Sequence, residues 1–115
     1  MDVTLYHNPR CGKSRQALAL LQDRGVTLRV IEYLKTPPTA AEIDRILRRL
    51  GLEPRALMRR GEADYAALGL DDPALDRTAL IEAMAGHPIL IERPIALCGN
   101  KAALGRPPER VLEIL

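Results

Sequence analysis

Apolar positions along the chain change spacing several times, and each change marks an element. Val3-Thr4-Leu5-Tyr6 reads as a short buried strand that stops at the Asn8-Pro9 turn. From about Gly12 to Arg24, Ala17, Leu18, Leu20 and Leu21 follow helical spacing, and Gly25 is a natural C-terminal stop. Thr27 to Tyr33, carrying Leu28, Val30 and Ile31, predicts a second strand. Strand, helix and strand in succession make a βαβ unit, with two parallel strands joined by a right-handed crossover.

Thr36-Pro37-Pro38 then breaks the chain. Thr39 and Glu42 have capping-box spacing ahead of Ile43, Ile46, Leu47 and Leu50, which predicts a helix ending at Gly51. Two short helices are expected around Arg55–Arg60 and Tyr65–Leu68. Asp76 is placed to cap another helix, with Leu80, Ile81 and Met84 on one face and an end near Gly86. Ile89-Leu90-Ile91 and Ile95-Ala96-Leu97 flank Glu92-Arg93-Pro94. A hairpin is expected to turn at Asn100-Lys101, and Pro107 fits the first turn of a terminal helix holding Val111, Leu112 and Leu115. The order is β-α-β, a helical insert over about residues 39–86, then β-β-α: an α/β frame whose halves share one mixed sheet.

At 115 residues the chain has the size of a single domain, large enough to bury a core without staples. Its net charge is only +2, so no strong field for polyanions is implied. Three tyrosines with no Phe or Trp leave little for base stacking, which argues against single-stranded nucleic-acid binding. No apolar run approaches membrane-spanning length. Cys11 and Cys98 lie far apart, outside any zinc-site spacing, so the expectation is free thiols in a reducing cytosol and no structural metal. Most of the basic residues are Arg, whose planar fork of donors suits a tetrahedral oxyanion.

The chemistry points to Cys11, between the first strand and the first helix. The first amides of a helix have no internal partners and carry partial positive charge, so a thiol aimed at them ionises readily, helped by the basic neighbours Arg10, Lys13 and Arg15. The other reading of such a cysteine is a small core residue. Cys11-Gly12-Lys13-Ser14 has the spacing of a thiol redox motif whose second cysteine is replaced by Ser, so no disulfide can close within the turn. A covalent intermediate must then be resolved by an outside thiol or by a distant cysteine. Ser14 has two roles open to it: a hydrogen bond to the thiolate or a bound anion, or support of the helix start. A phosphatase-type loop, with Arg six residues after Cys, is absent because Ala17 stands there.

His7-Asn8-Pro9-x-Cys11-x-x-Ser14-Arg15 resembles the active-site segment of glutaredoxin-coupled arsenate reductases. So do Tyr33-Leu34-x-Thr36-Pro37-Pro38-Thr39, Arg55-Ala56-Leu57-Met58-Arg59, His87-Pro88-Ile89-Leu90-Ile91-x-Arg93-Pro94-Ile95 and Arg106-Pro107-x-Glu109-x-Val111-Leu112-Glu113-Ile114-Leu115. These blocks keep their order across essentially the whole chain. The resemblance implies a thioredoxin-like fold with a helical insert. It implies that Cys11 is the nucleophile and that Arg59, Arg93 and Arg106 bind the substrate, with His7, Ser14, Arg15 and Pro94 in support. Arg59 is expected on a helix of the insert, Arg93 at a strand end before proline, and Arg106 at the start of the last helix. Pro94 matches a proline that is usually cis beside the cysteine of this fold. His7 is left either to promote the thiolate or to serve the turn, and His87 and Cys98 are read as structural.

The implied activity is reduction of arsenate to arsenite, with glutathione and glutaredoxin as partners and no bound metal or flavin, since sulfur supplies both electrons. Arg10, Lys13 and the short Gly99–Gly105 stretch depart from the best-studied branch and resemble a less characterised one. Two other functions fit the same motifs. One is a thiol reductase acting on a disulfide or glutathionylated substrate; the other is a polymerase-binding redox regulator, against which the missing second cysteine at Ser14 weighs.

Overall fold

The computed structural model describes residues 1–115. It divides into two compact units, Met1–Thr36 with Arg93–Leu115, and Pro37–Glu92.

The first unit holds β1 (Asp2–His7), α1 (Gly12–Asp23), β2 (Thr27–Glu32), β3 (Ile95–Cys98) and β4 (Lys101–Leu104). The sheet order is β2-β1-β3-β4. β1 runs parallel to β2 from Asp2↔Thr27 to His7↔Glu32, as the βαβ reading requires. It runs antiparallel to β3, with Tyr6 opposite Ile95 and Thr4 opposite Leu97. Val3 and Leu5 of β1, Ala17 and Leu21 of α1, Ala96 and Ala103 of the hairpin, and Val111 and Ile114 near the C-terminus form its core. This is the thioredoxin-like α/β frame. β2 is an edge strand, which explains why Val30 remains 42% exposed despite its apolar character.

Two details of this unit differ from the sequence reading. The hairpin turns at Gly99-Asn100, one residue earlier than expected, and Lys101 already pairs with Cys98. Gly99 has φ +58, the conformation a two-residue hairpin with Gly in its first central position demands. The terminal helix is a 3-10 helix over Pro108–Ile114, with Pro107 outside it as the N-cap. Its buried residues, Pro108, Val111 and Ile114, recur every third position, the period of a 3-10 helix. The α-helical pattern expected of Val111, Leu112 and Leu115 therefore gives way to a tighter coil that puts Leu112 and Leu115 at the core's margin.

In the second unit, α2 (Ala40–Leu50) begins at the expected capping box. Thr39 Oγ1 accepts from the Glu42 amide at 3.2 Å, and Glu42 Oε1 accepts from the Thr39 amide at 3.2 Å. Its buried face is Ile43, Ile46 and Leu47, and Gly51 ends it in the left-handed conformation. α3 (Ala63–Ala67) is short, and α4 (Arg77–Gly86) starts where Asp76 accepts from the Ala79 amide at 2.8 Å. α4 packs on α2 and buries Leu80, Ile81 and Met84.

The segment expected to form a helix around Arg55–Arg60 forms a 3-10 turn over Pro54–Leu57. Met58 instead makes a β-bridge to Ile91. Arg59 thus sits beyond the helical turn, and its amide donates to Leu90 O at 2.7 Å. Pro88 likewise starts a 3-10 turn over Pro88–Leu90, so Arg93 follows an irregular link and lies outside a strand.

Candidate active site around Cys11

Cys11 is the N-cap of α1, with extended backbone, and α1 has no acidic residue in its first turn. Nothing in the helix therefore competes with a thiolate for the positive N-terminal end. Asn8 holds the turn leading to it through three bonds. The Asn8 amide donates to Ser14 Oγ at 3.0 Å, its carbonyl accepts from the Cys11 amide at 3.0 Å, and its side-chain Oδ1 accepts from the Arg10 amide at 3.0 Å. The last of these is the local turn that short amide side chains favour. Asn8 was legible as a turn former before Pro9; its hold on both Ser14 and Cys11 was not.

Burial alone pushes the Cys11 thiol up. The Ser14 amide, the charge of Arg93, the Lys13 amide and a hydrogen bond from Arg93 together outweigh it and hold the thiol below its ordinary range. No side-chain capping bond closes at Cys11, so these groups favour the thiolate through proximity and field more than through one short contact. The basic neighbours in sequence are thus not the source of the effect. Lys13 acts through its backbone amide, and the arginine that acts most on the thiol is the distant Arg93. Arg15 is exposed and donates to Pro9 O at 3.4 Å, which ties it to the turn.

Ser14 is fully buried, and its hydroxyl is bonded to His7 Nδ1 at 2.8 Å as well as to the Asn8 amide. With the oxygen accepting from Asn8, the hydroxyl proton is free to donate to a neutral imidazole. Of the two roles open to Ser14, its side chain takes the structural one, and only its backbone amide acts on the thiolate. His7 is 5% exposed. Burial lowers its pKa against the opposing pull of Glu32, and Arg15 adds to the lowering. His7 is thus a buried ring bonded to Ser14 at the end of β1.

Arg93 lies on the other flank of Cys11, ahead of β3. Its Nε is buried without a hydrogen-bond partner, and Arg106 Nη1 donates to its carbonyl at 3.2 Å. Pro94 is buried, and both Arg93–Pro94 and Arg106–Pro107 are cis peptides. Gly105 packs directly on the Pro94 ring and donates its amide to Pro94 O at 2.8 Å. The structure thus brings Cys11, His7, Ser14, Arg93, Pro94 and Arg106 into one unit. Gly105 is a supporting residue that sequence alone did not single out, since its need for a missing Cβ arises from chain distant in sequence.

Arg59 belongs to the other unit, where its guanidinium pairs with Glu62 at 2.7 Å. His87, in the same unit, lies 3.3 Å from Asp64 through Nδ1. Cys98 is a free thiol that packs against the core beyond Leu97, toward the Val3 end of β1 and away from the end that leads to Cys11. It is thus poorly placed to resolve an intermediate on Cys11. No group of three His, Cys, Asp or Glu side chains comes together to hold a metal ion, and no helix is long and apolar enough to cross a membrane.

The chain matches the model of the ArsC family over residues 6–114. It is 49% identical over 115 residues to the arsenate reductase of Neisseria meningitidis serogroup A, covering 99% of this chain and 98% of the relative. A protein of Escherichia coli K12 known as uncharacterized protein YfgD is 50% identical over 115 residues, covering 99% of this chain and 97% of that one. Among solved structures, an arsenate reductase from Vibrio cholerae superposes with a TM-score of 0.97 at 53% identity, covering 100% of this chain and 98% of the other. With its strand–Cys11–helix junction, Arg93 beside it and this agreement along its length, the chain belongs to the ArsC family.

Proposed function

We propose that this protein reduces arsenate to arsenite through nucleophilic attack by the Cys11 thiolate, with glutathione and glutaredoxin as the electron-donating thiols. The observation that carries the reading is the pairing of Cys11 with Arg93: a thiol held toward its ionised form by the same guanidinium that keeps a buried, unpartnered N–H beside it. A buried donor without a partner costs free energy, and an oxyanion next to Cys11 would give Arg93 a partner. Relatives that are nearly half identical over the full length and carry the name arsenate reductase supply the substrate.

In the proposed sequence the thiolate forms an S–As bond and an oxygen leaves arsenate as water, taking two protons. Arg93 and Arg106 neutralise the charge that builds on the remaining oxygens. Glutathione then forms a second S–As bond as another oxygen leaves as water, a glutaredoxin thiolate takes up the glutathionyl sulfur as a mixed disulfide, and the electron pair of the broken glutathione S–As bond stays on arsenic. Water releases arsenite and restores Cys11. Two thiols become one disulfide, arsenic gains two electrons, and one water is formed overall. Ser14 in place of a second cysteine and the position of Cys98 both leave resolution to an outside thiol.

The test is arsenate-dependent NADPH consumption in a glutathione–glutaredoxin–glutathione reductase coupled assay. Turnover is expected in the native chain and its loss in Cys11→Ser. Full turnover by Cys11→Ser sinks the mechanism. Consumption that is independent of arsenate and needs a glutathionylated substrate points to the related thiol-reductase activity instead.

A further inference from the structure

On the flank of Cys11 away from Arg93, a cavity of about 250 Å³ opens between the Asn8-Pro9-Arg10 turn and the end of β2, where Glu32, Leu34 and Lys35 line it. His7, its Nδ1 already bonded to Ser14, also faces this cavity. The sheet order separates the two flanks. β2 lies on one side of β1 and β3 on the other, so the chain leaving β1 toward Cys11 has the end of β2 to one side and Arg93-Pro94 to the other. The oxyanion's arginines in this unit all belong to the β3 side. Nothing in the proposed chemistry uses the β2 side.

The charges of the cavity have a definite pattern. Arg10 is exposed and enters no ion pair. Lys35 makes only a loose 3.5 Å contact with Glu32, with its side chain 78% exposed. Two cations and one carboxylate therefore border a small space that also offers two apolar surfaces, Pro9 and Leu34, the latter 44% exposed. A small peptide thiol with two carboxylates and one ammonium is the charge complement of that arrangement. The volume lies just below the usual range of small-molecule sites, a size for part of a short peptide.

We infer that this cavity binds the glutathione that resolves the Cys11 adduct, its carboxylates meeting Arg10 and Lys35 and its ammonium meeting Glu32. The inference rests on the thiol-dependent reading above and adds where the second thiol approaches. Arg10, which lines the cavity, directly precedes Cys11, so a peptide seated there lies next to the nucleophile in the chain and on the flank opposite Arg93. It also gives the exposed, unpaired Arg10 a function.

The test uses S-methylglutathione, which cannot react, titrated into the intact protein and followed by amide NMR shifts. Shifts that saturate and centre on Asn8, Arg10 and Glu32–Lys35 are expected. In the double charge reversal Arg10→Glu/Lys35→Glu, both exposed positions, affinity should fall by about tenfold or more, consistent with loss of two carboxylate contacts. In the coupled assay the same variant should raise KM for glutathione by a similar factor and leave KM for arsenate unchanged. Shifts centred on Arg93–Ile95, no shifts up to about 20 mM peptide, or a KM change for arsenate instead of glutathione each overturn the inference. Binding of S-methylglutathione at the cavity without any arsenate turnover would uphold this site while refuting the proposed substrate, so the two failures are distinguishable.

Discussion

Gly105 is the position where a single methyl group should connect packing to the chemistry of Cys11. A Cβ built there would lie 2.6 Å from Pro94 Cγ and 2.9 Å from Val111 Cγ1, where ordinary contact begins at 3.4 Å. About 0.8 Å must therefore be found against Pro94, and neither neighbour yields easily. Pro94 is a closed ring, and Val111 is fully buried in the core. Overpacking of this kind costs about 1–3 kcal/mol, while replacing Gly by Ala returns roughly 0.4–1 kcal/mol by narrowing the unfolded ensemble. The net expectation for Gly105→Ala is a loss of about 1–2 kcal/mol, or roughly 3–8 °C in midpoint for a chain of this size. Because Pro94 follows Arg93 and accepts the Gly105 amide, its displacement also moves the guanidinium from Cys11. Thermal unfolding by circular dichroism measures the first effect. The pH dependence of Cys11 alkylation by iodoacetamide measures the second, with the midpoint expected to move upward. Adding Val111→Ala should relieve part of the clash and show favourable coupling in a double-mutant cycle. A Gly105→Ala protein as stable as the native one, with an unchanged alkylation profile, would refute the reasoning.

Other expectations follow from the same contacts. Arg93→Ala should shift the alkylation midpoint of Cys11 upward, while Arg15→Ala should leave it in place; the reverse order would mean that the thiolate depends on its neighbours in sequence. The lowered pKa of Cys11 implies stabilisation that is present above the unfolded thiol's pKa of about 8.5 and fades as pH falls through the lower folded value. The urea midpoint of the native chain relative to Cys11→Ser should therefore rise toward alkaline pH, and a flat difference would contradict the sign. His7, also lowered, adds stability above about pH 6.5 that is lost on acidification, so His7→Gln should flatten the stability profile just below that pH.

Local chemistry made much of this molecule readable in advance. Thr39 and Glu42 sit three apart and close their own capping box, and Asp76 caps α4 through an amide three residues on. The periods of Val3–Tyr6 and Thr27–Tyr33 gave strands because each rests on one side of a sheet whose partner follows within a single crossover. Cys11 was identifiable because a helix N-terminus is a property of adjacent residues. Where the sequence reading failed, the deciding contact came from elsewhere in the chain. Met58 finds Ile91 across more than thirty residues, and that bridge pulls Arg59 out of a helix. The last helix tightens to a 3-10 coil that buries every third residue against the core, a preference its seven residues do not announce alone.

The site shows the same division. That Cys11 would stand at a helix N-terminus was decided by sequence, through its turn and the amides that follow it. That Arg93 shifts its ionisation, that Ser14 spends its hydroxyl on His7, and that Gly105 has no room for a side chain were decided only when β3 and the C-terminal segment folded back beside β1. Electrostatic interaction and close packing depend on distance in space, and neighbouring positions in sequence measure that distance only within a turn or two.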